Sequence, residues 1–309
     1  MNKPVAVMDL GTNTFHLLIV EGNGAGYSEI VHEQDAVKLG EGGINKGFIH
    51  PAAFVRGIKS MQRYHQLILE NNVQQVRAIA TSALRNAANG QDFIDQVKAQ
   101  TSIVIEIIDG DAEAAYIYKG VKASGSLSGH NSLVVDIGGG SVEFIICDNK
   151  QVKWKQSFEI GAARLMDNFH RTDPIPPESI TALNLYLQDS LTDLFVAAST
   201  YKIENIIGSS GVFESYAGLI EASKGHSFDL KKTKHYDFEK DELLAAIESL
   251  ILSSHQQRVG NKGIIPVRVD MIVTASILTR FIIDKLGIDN VVMSTNSLKE
   301  GVLAEMMGD

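Results

Sequence analysis

Short apolar runs broken by small polar turns alternate along this chain with longer stretches that carry apolar residues at helical spacing. Residues 5–20 are apolar except at Gly11-Thr12-Asn13-Thr14, which predicts a strand, a tight turn and a second strand. Residues 29–50 are mixed and glycine-rich and predict strand and loop. Residues 51–71 place Phe54, Ile58, Met61, His65 and Ile68 on one helix face. A strand at 76–80, a turn at 81–88, a helix at 91–99, a strand at 104–108 and a helix at 111–121 follow, with Asp111 as the expected N-cap.

The pattern then restarts. Residues 133–135 read as a strand, Asp136-Ile137-Gly138-Gly139-Gly140-Ser141 as a turn, and 143–147 as a strand. Pro174-Ile175-Pro176-Pro177 opens one long predicted helix to about Thr200, then come a strand at 203–207 and a turn at Gly208-Ser209-Ser210-Gly211 into another helix. A polar loop at 225–237, helices at 239–258 and 269–286, a strand at 291–294 and a last helix from about 297 complete the chain. Shifting the first hairpin by 127 residues lays Asp9 over Asp136, Gly11 over Gly138, Thr14 over Ser141 and His16 over Glu143. Two hairpins with the same Asp-x-Gly turn imply a duplicated α/β domain. The boundary is expected in residues 124–131, which have linker composition. That gives domains at 1–125 and 126–309, with a C-terminal helix at 296–309 free to pack back on the first.

With 309 residues and 44% hydrophobic content, the chain is long enough for two cored domains. The net charge of −9 argues against a broad nucleic-acid-binding face. It also demands that Lys and Arg be concentrated locally if the substrate is a polyanion. The lone Cys147 sits in an apolar run, reads as a core residue, and fits a reducing cytoplasm. No 18-residue apolar run predicts a membrane span, and Met1-Asn2-Lys3-Pro4 does not open a signal peptide.

The two turns suit phosphate. Glycines let the backbone approach an anion and allow φ values that aim successive N–H groups inward, and Ser and Thr hydroxyls add donors. Gly11, Thr12, Asn13 and Thr14, and Gly138, Gly139, Gly140 and Ser141, supply both. Neither is a Walker A loop, because no Gly-Lys-Ser/Thr follows and a strand stands where that motif needs a helix. Carboxylates at Asp9, Asp136 and Glu143 would repel phosphate unless a cation intervenes, which suggests Mg²⁺.

These stretches resemble the exopolyphosphatase and guanosine pentaphosphate phosphatase family. Asp9 through His16 and Asp136 through Glu143 are similar to its two phosphate loops. Ala80-Thr81-Ser82-Ala83-Leu84-Arg85 through Asn89, Gly110-Asp111-Ala112-Glu113-Ala114, Ile160 through Leu165, and Ser297-Leu298-Lys299-Glu300-Gly301 match further segments in order. Gly208, Ser209, Ser210 and Gly211 look like its nucleoside-side loop. The resemblance implies two ribonuclease-H-like domains of the actin, acetate and sugar kinase and heat-shock ATPase superfamily, with the active site in the interdomain cleft. It implies a cytoplasmic, Mg²⁺-dependent, dimeric hydrolase of inorganic polyphosphate or guanosine pentaphosphate. It assigns Glu113 to the attacking water, Arg85 to charge neutralisation, and Asp136, Glu143 and Asp9 to the metal.

Read alone, Glu113 is merely an acid in a first helical turn, where it serves the helix dipole. Three departures stand out: Lys299 where Arg is usual, Thr274 where Gly is expected, and a chain ending near 309 where longer members continue into helical domains that hold long polyphosphate. The last implies limited processivity. The competing readings are a kinase of the same superfamily and a non-catalytic nucleotide or alarmone sensor.

Overall fold

The computed structural model describes residues 3–23, 26–230, 232–261 and 263–308. The chain forms two compact units, one of Met1–Gly120 with Leu298–Asp309, the other of Val121–Ser297.

The first unit opens with strands β1 (Val5–Leu10), β2 (Phe15–Asn23) and β3 (Gly26–Asp35). Helix α1 (Pro51–Glu70), strand β4 (Gln75–Ala80), helices α2 (Ser82–Arg85) and α3 (Gly90–Thr101), strand β5 (Ile105–Ile107) and helix α4 (Gly110–Ala123) follow. The sheet order is β3-β2-β1-β4-β5. The first three strands form an antiparallel meander, and β4 and β5 add in parallel. Helix α1 starts where Pro51 presets φ and the His50 ring accepts from the Ala52 amide. Its buried face is Ala53, Gly57, Ile58, Met61, Tyr64 and Ile68, turned from the predicted one so that Phe54 and His65 lie at its margins. Gly57 explains the rotation: a Cβ there would stand 2.6 Å from the Phe93 ring of α3. At α4 the cap is Asp109, whose Oδ1 accepts from the Ala112 amide at 2.8 Å, and not the expected Asp111.

The second unit opens with β6 (Ser132–Ile137), β7 (Val142–Cys147) and β8 (Val152–Phe158), then α5 (Ala162–Phe169). It continues through α6 (Pro177–Ser190), α7 (Thr192–Thr200), β9 (Asn205–Gly208), α8 (Gly211–Ser223), β10 (His235–Phe238), α9 (Lys240–Leu252), α10 (His255–Val259), α11 (Ile272–Leu286) and β11 (Val291–Ser294). The sheet order is β10-β11-β9-β6-β7-β8. Again three strands form a meander and two add in parallel, so the duplication extends from the hairpins to the topology. The added strand β10 falls in the predicted polar loop. It pairs antiparallel with β11, and Phe238 enters the core from it.

Two predicted long helices are broken. Fully buried Leu191 leaves helical geometry (φ −101°, ψ 19°) between α6 and α7. Ser253 and Ser254 are extended between α9 and α10, and Ser254 forms a capping box with Gln257. Each unit has its own buried cluster. Cys147 is a core residue at 0% exposure, and burial raises its thiol pKa to about 12.

Helix α12 (Leu298–Met307) belongs to the first unit. Gly301 lies against the Tyr116 carbonyl of α4, where any Cβ would collide with backbone. Lys299 is a largely buried side chain paired with Glu300 at 3.0 Å. Among the described residues, no helix is long and apolar enough to cross a membrane.

Candidate functional site

Each unit carries one Asp-led turn at the end of its first strand. In the first, the Gly11 amide donates to the Thr14 carbonyl at 3.1 Å; in the second, the Gly138 amide donates to the Ser141 carbonyl at 3.0 Å. A Cβ on either glycine would stand 3.0 Å from that same carbonyl oxygen. No glycine of either turn is among those with positive φ. The glycines are therefore needed for close approach and not for left-handed backbone, which corrects one reason given from sequence.

What holds the second turn is the start of α5. The Ala162 amide donates to the Gly138 carbonyl at 2.9 Å, the Ala163 amide to Gly139 at 2.9 Å, and the Gly161 amide to Gly140 at 3.2 Å. Arg164 Nε reaches the Gly140 carbonyl at 2.8 Å, and its Nη2 pairs with Glu159 at 2.7 Å. Helix α5 has no side-chain cap, and these carbonyls satisfy its first amides instead. In a planar trans peptide the N–H points opposite the C=O. With the three carbonyls turned onto α5, the amides of Gly139, Gly140 and Ser141 face away from it. This is an anion-binding orientation.

The carboxylates stand beside that loop. Asp136 and Glu143 are directly opposite on β6 and β7, and Ser157 continues the row on β8. Glu143 is 1% exposed and accepts from Ser157 Oγ at 2.6 Å. Asp136 Oδ2 accepts from Ser209 Oγ at 2.9 Å and also from Ser297 Oγ. Two like charges opposite each other in a sheet destabilise it unless a cation or proton is shared.

The predicted residue groups are thus brought together in part. Asp136, Glu143, the triple-glycine turn and Ser209 converge within the second unit. Gly208 and Gly211 are glycines for packing: a Cβ would strike the Phe213 ring at one and the Arg268 guanidinium at the other. Ser210 Oγ is buried with no hydrogen-bond partner among the described residues.

In the first unit Asp9 faces His16 across the hairpin, and Gln34 continues that row. Arg85 and Glu113 meet: Arg85 Nη1 donates to Glu113 Oε2 at 2.9 Å and to the Ile108 carbonyl at 3.0 Å. Both side chains are mostly buried, so the acid is held in one orientation. Sequence reading missed Ser157, Ser297 and the grip of Arg164, because each joins the site through strand pairing or a helix start. Arg164 and Ser297 carried a signal, each lying in a segment already matched. The Thr274 departure also has a reason. Its fully buried hydroxyl shares its proton between the Ala162 carbonyl at 2.9 Å and Met271 at 3.1 Å, tying α11 to the start of α5.

The sequence profile of the Ppx/GppA phosphatase family matches residues 18–309. The chain belongs to that family. Within it, an exopolyphosphatase from Cytophaga hutchinsonii of known crystal structure is 37% identical, with a TM-score of 0.96 over 99% of this chain and 98% of that one. A bifunctional 3-dehydroquinate synthase/phosphatase from Fusobacterium nucleatum is 29% identical over 97% of this chain. A guanosine-5'-triphosphate,3'-diphosphate pyrophosphatase from Vibrio vulnificus is 25% identical over 100% of this chain. The chain spans 46% of the Fusobacterium relative and 60% of the Vibrio one. The two α/β units described above therefore have the fold of the Cytophaga exopolyphosphatase over nearly its whole length.

Proposed function

We propose that this chain is a cytoplasmic, Mg²⁺-dependent phosphoanhydride hydrolase that releases terminal orthophosphate from inorganic polyphosphate or guanosine pentaphosphate. The observation that carries this reading is the Asp136–Glu143 cross-strand pair beside a loop whose three glycine carbonyls are turned onto the start of α5. That pairing of anion-facing amides with two carboxylates suits a metal phosphate better than either ion alone. Family membership, and the substrates in the names of the relatives, support it.

The donor set fits Mg²⁺. Asp136 and Glu143 are hard oxygen donors, each oriented by serine hydroxyl donors. Mg²⁺ takes one or two carboxylates and completes its shell with water and phosphate oxygens. Bound there, it supplies positive charge to the phosphate oxygens. Asp9, which faces His16 and not a second carboxylate, is the weakest of the three proposed metal residues.

The chain's own residues supply the rest. The amides of Gly139, Gly140 and Ser141 suit a phosphate group, and those of Asn13 and Thr14 suit a phosphate group in the same way. Glu113, oriented by Arg85, positions the attacking water and takes its proton as the new P–O bond forms and the anhydride P–O bond breaks. Arg85 balances the charge that develops. The nucleoside-side role of Gly208, Ser209, Ser210 and Gly211 and a dimeric state rest on the family likeness.

The test is orthophosphate release from polyphosphate, guanosine pentaphosphate and ATP, with and without Mg²⁺, for wild type and Glu113→Gln. The expected loss in kcat is about 10²- to 10⁴-fold, the usual value of a positioned base. Unchanged release by the variant would show the mechanism to be wrong. Transfer to an acceptor in place of water would favour a kinase, and binding without turnover a sensor.

A further inference from the structure

A polyanion approaching a protein of net charge −9 needs cations at the turns themselves. Arg85 is paired with Glu113, and Arg164 with Glu159 and the Gly140 carbonyl. The first turn has a different neighbour. The Lys38 amide donates to the Asn13 carbonyl at 2.7 Å, and the Gly40 amide donates to the Thr12 carbonyl at 3.0 Å. A Cβ on Gly40 would stand 2.6 Å from Thr12 Cγ2, so the segment lies tight against the turn.

Lys38 itself is in left-handed backbone, at φ 49°. A non-glycine residue there is strained, and such strain persists only where the surroundings enforce it. Arg56 enforces it. Its Nε donates to the Val37 carbonyl at 2.7 Å, and its Nη2 to the Lys38 carbonyl at 3.0 Å and to Glu41 Oε2 at 2.6 Å. Glycine would relieve the strain, yet the position carries a lysine. Lysine's distinguishing property is a point charge on a flexible four-carbon stem.

We propose that Lys38 is a phosphate ligand of the first turn, its ammonium engaging the phosphate on the Asn13 and Thr14 amides, and that Arg56 is its positioning residue. This rests on the phosphohydrolase reading and names the cation which that reading lacks at Gly11–Thr14.

Lys38→Gly separates charge from structure. It keeps the left-handed backbone, so the variant should melt at or above the wild-type temperature. Binding of inorganic tripolyphosphate by calorimetry in EDTA, where the metal is absent, should weaken about 10- to 100-fold, the worth of one charge-assisted hydrogen bond. Lys38→Arg should retain most of the affinity. Arg56→Ala should weaken binding in the wild-type background but add nothing to Lys38→Gly. Wild-type affinity in Lys38→Gly would overturn the proposal while leaving the hydrolase reading intact. Failure of wild type to release phosphate from both polyphosphate and guanosine pentaphosphate with Mg²⁺ would instead defeat the reading beneath it.

Discussion

The amide of Gly11 closes the first turn on Thr14 at 3.1 Å, and the amide of Gly138 closes the second on Ser141 at 3.0 Å. Around this shared geometry the surroundings differ. The second turn is held by a helix start, which accepts no compromise because α5 needs those carbonyls as much as the turn needs the amides. The first is held by an irregular segment clamped by Arg56, with a strained Lys38 in its middle. The row beside the second turn is Asp136–Glu143–Ser157; beside the first it is Asp9–His16–Gln34. One copy has accumulated negative charge and rigid backbone, and the other offers adjustable side chains. Duplication conserved the backbone hydrogen bond and let the bracing diverge.

The largest effect should come from Gly161→Ala. Its Cβ would land among the backbone atoms of Gly139 and Gly140, which cannot yield without moving the turn. We expect about 2–3 kcal/mol of destabilisation, read by thermal melting, and about 100-fold in kcat/KM. Gly40→Ala meets only side chains, the Thr12 methyl and Ile44, so it should cost about 1 kcal/mol. Equal losses in the two variants would break the proposed contrast in rigidity.

Glu143→Gln comes next. Removing one of two facing carboxylates should raise the Mg²⁺ half-saturation concentration about tenfold or more while stabilising the metal-free protein by about 0.2–1 kcal/mol. Asp9→Asn, opposite His16, should shift the Mg²⁺ requirement far less. A Mg²⁺ titration of phosphate release decides between them.

Arg164→Met should lower kcat/KM by about tenfold, because the Gly140 carbonyl loses a charge-assisted donor worth about 1–2 kcal/mol. A melting curve that moves without any change in kcat/KM would make Arg164 structural only.

The smallest expected effect is pH-dependent and sits at the far end of α5. Burial, followed by the nearby Arg258 cation, lowers the His170 pKa below the usual imidazole range against a weaker opposing pull from Asp173. The folded state therefore favours neutral His170, and the unfolded chain binds the extra proton. Its stabilisation is complete above the ordinary imidazole pKa and is lost as pH falls below it. Melting temperature should drop by about 2 °C more in wild type than in His170→Gln between pH 7.5 and 5.5. Parallel curves would rule this out.

Much of the fold was legible because its signals are local. The hairpins around Gly11 and Gly138 announce themselves by apolar runs on each side of a polar turn, and the 127-residue offset follows from comparing them. The breaks at Leu191 and Ser253 were not legible, since apolar and polar spacing continues through both and only burial of Leu191 and capping by Ser254 interrupt the helices. Strand β10 was hidden because four residues acquire strand geometry only by pairing with β11.

Local chemistry along the chain determined that two Asp-led turns exist, that they repeat, and that an acid and an arginine lie at Glu113 and Arg85. Tertiary structure alone decided what those residues face. Strand register put Glu143 opposite Asp136 and His16 opposite Asp9, and long-range contacts brought Ser209, Ser297, Arg164 and Lys38 to them. The physical reason is that hydrophobic periodicity encodes which face of an element is buried, whereas the partner of a polar group can lie far along the chain, as Ser297 lies 161 positions from Asp136, and no local pattern records that approach.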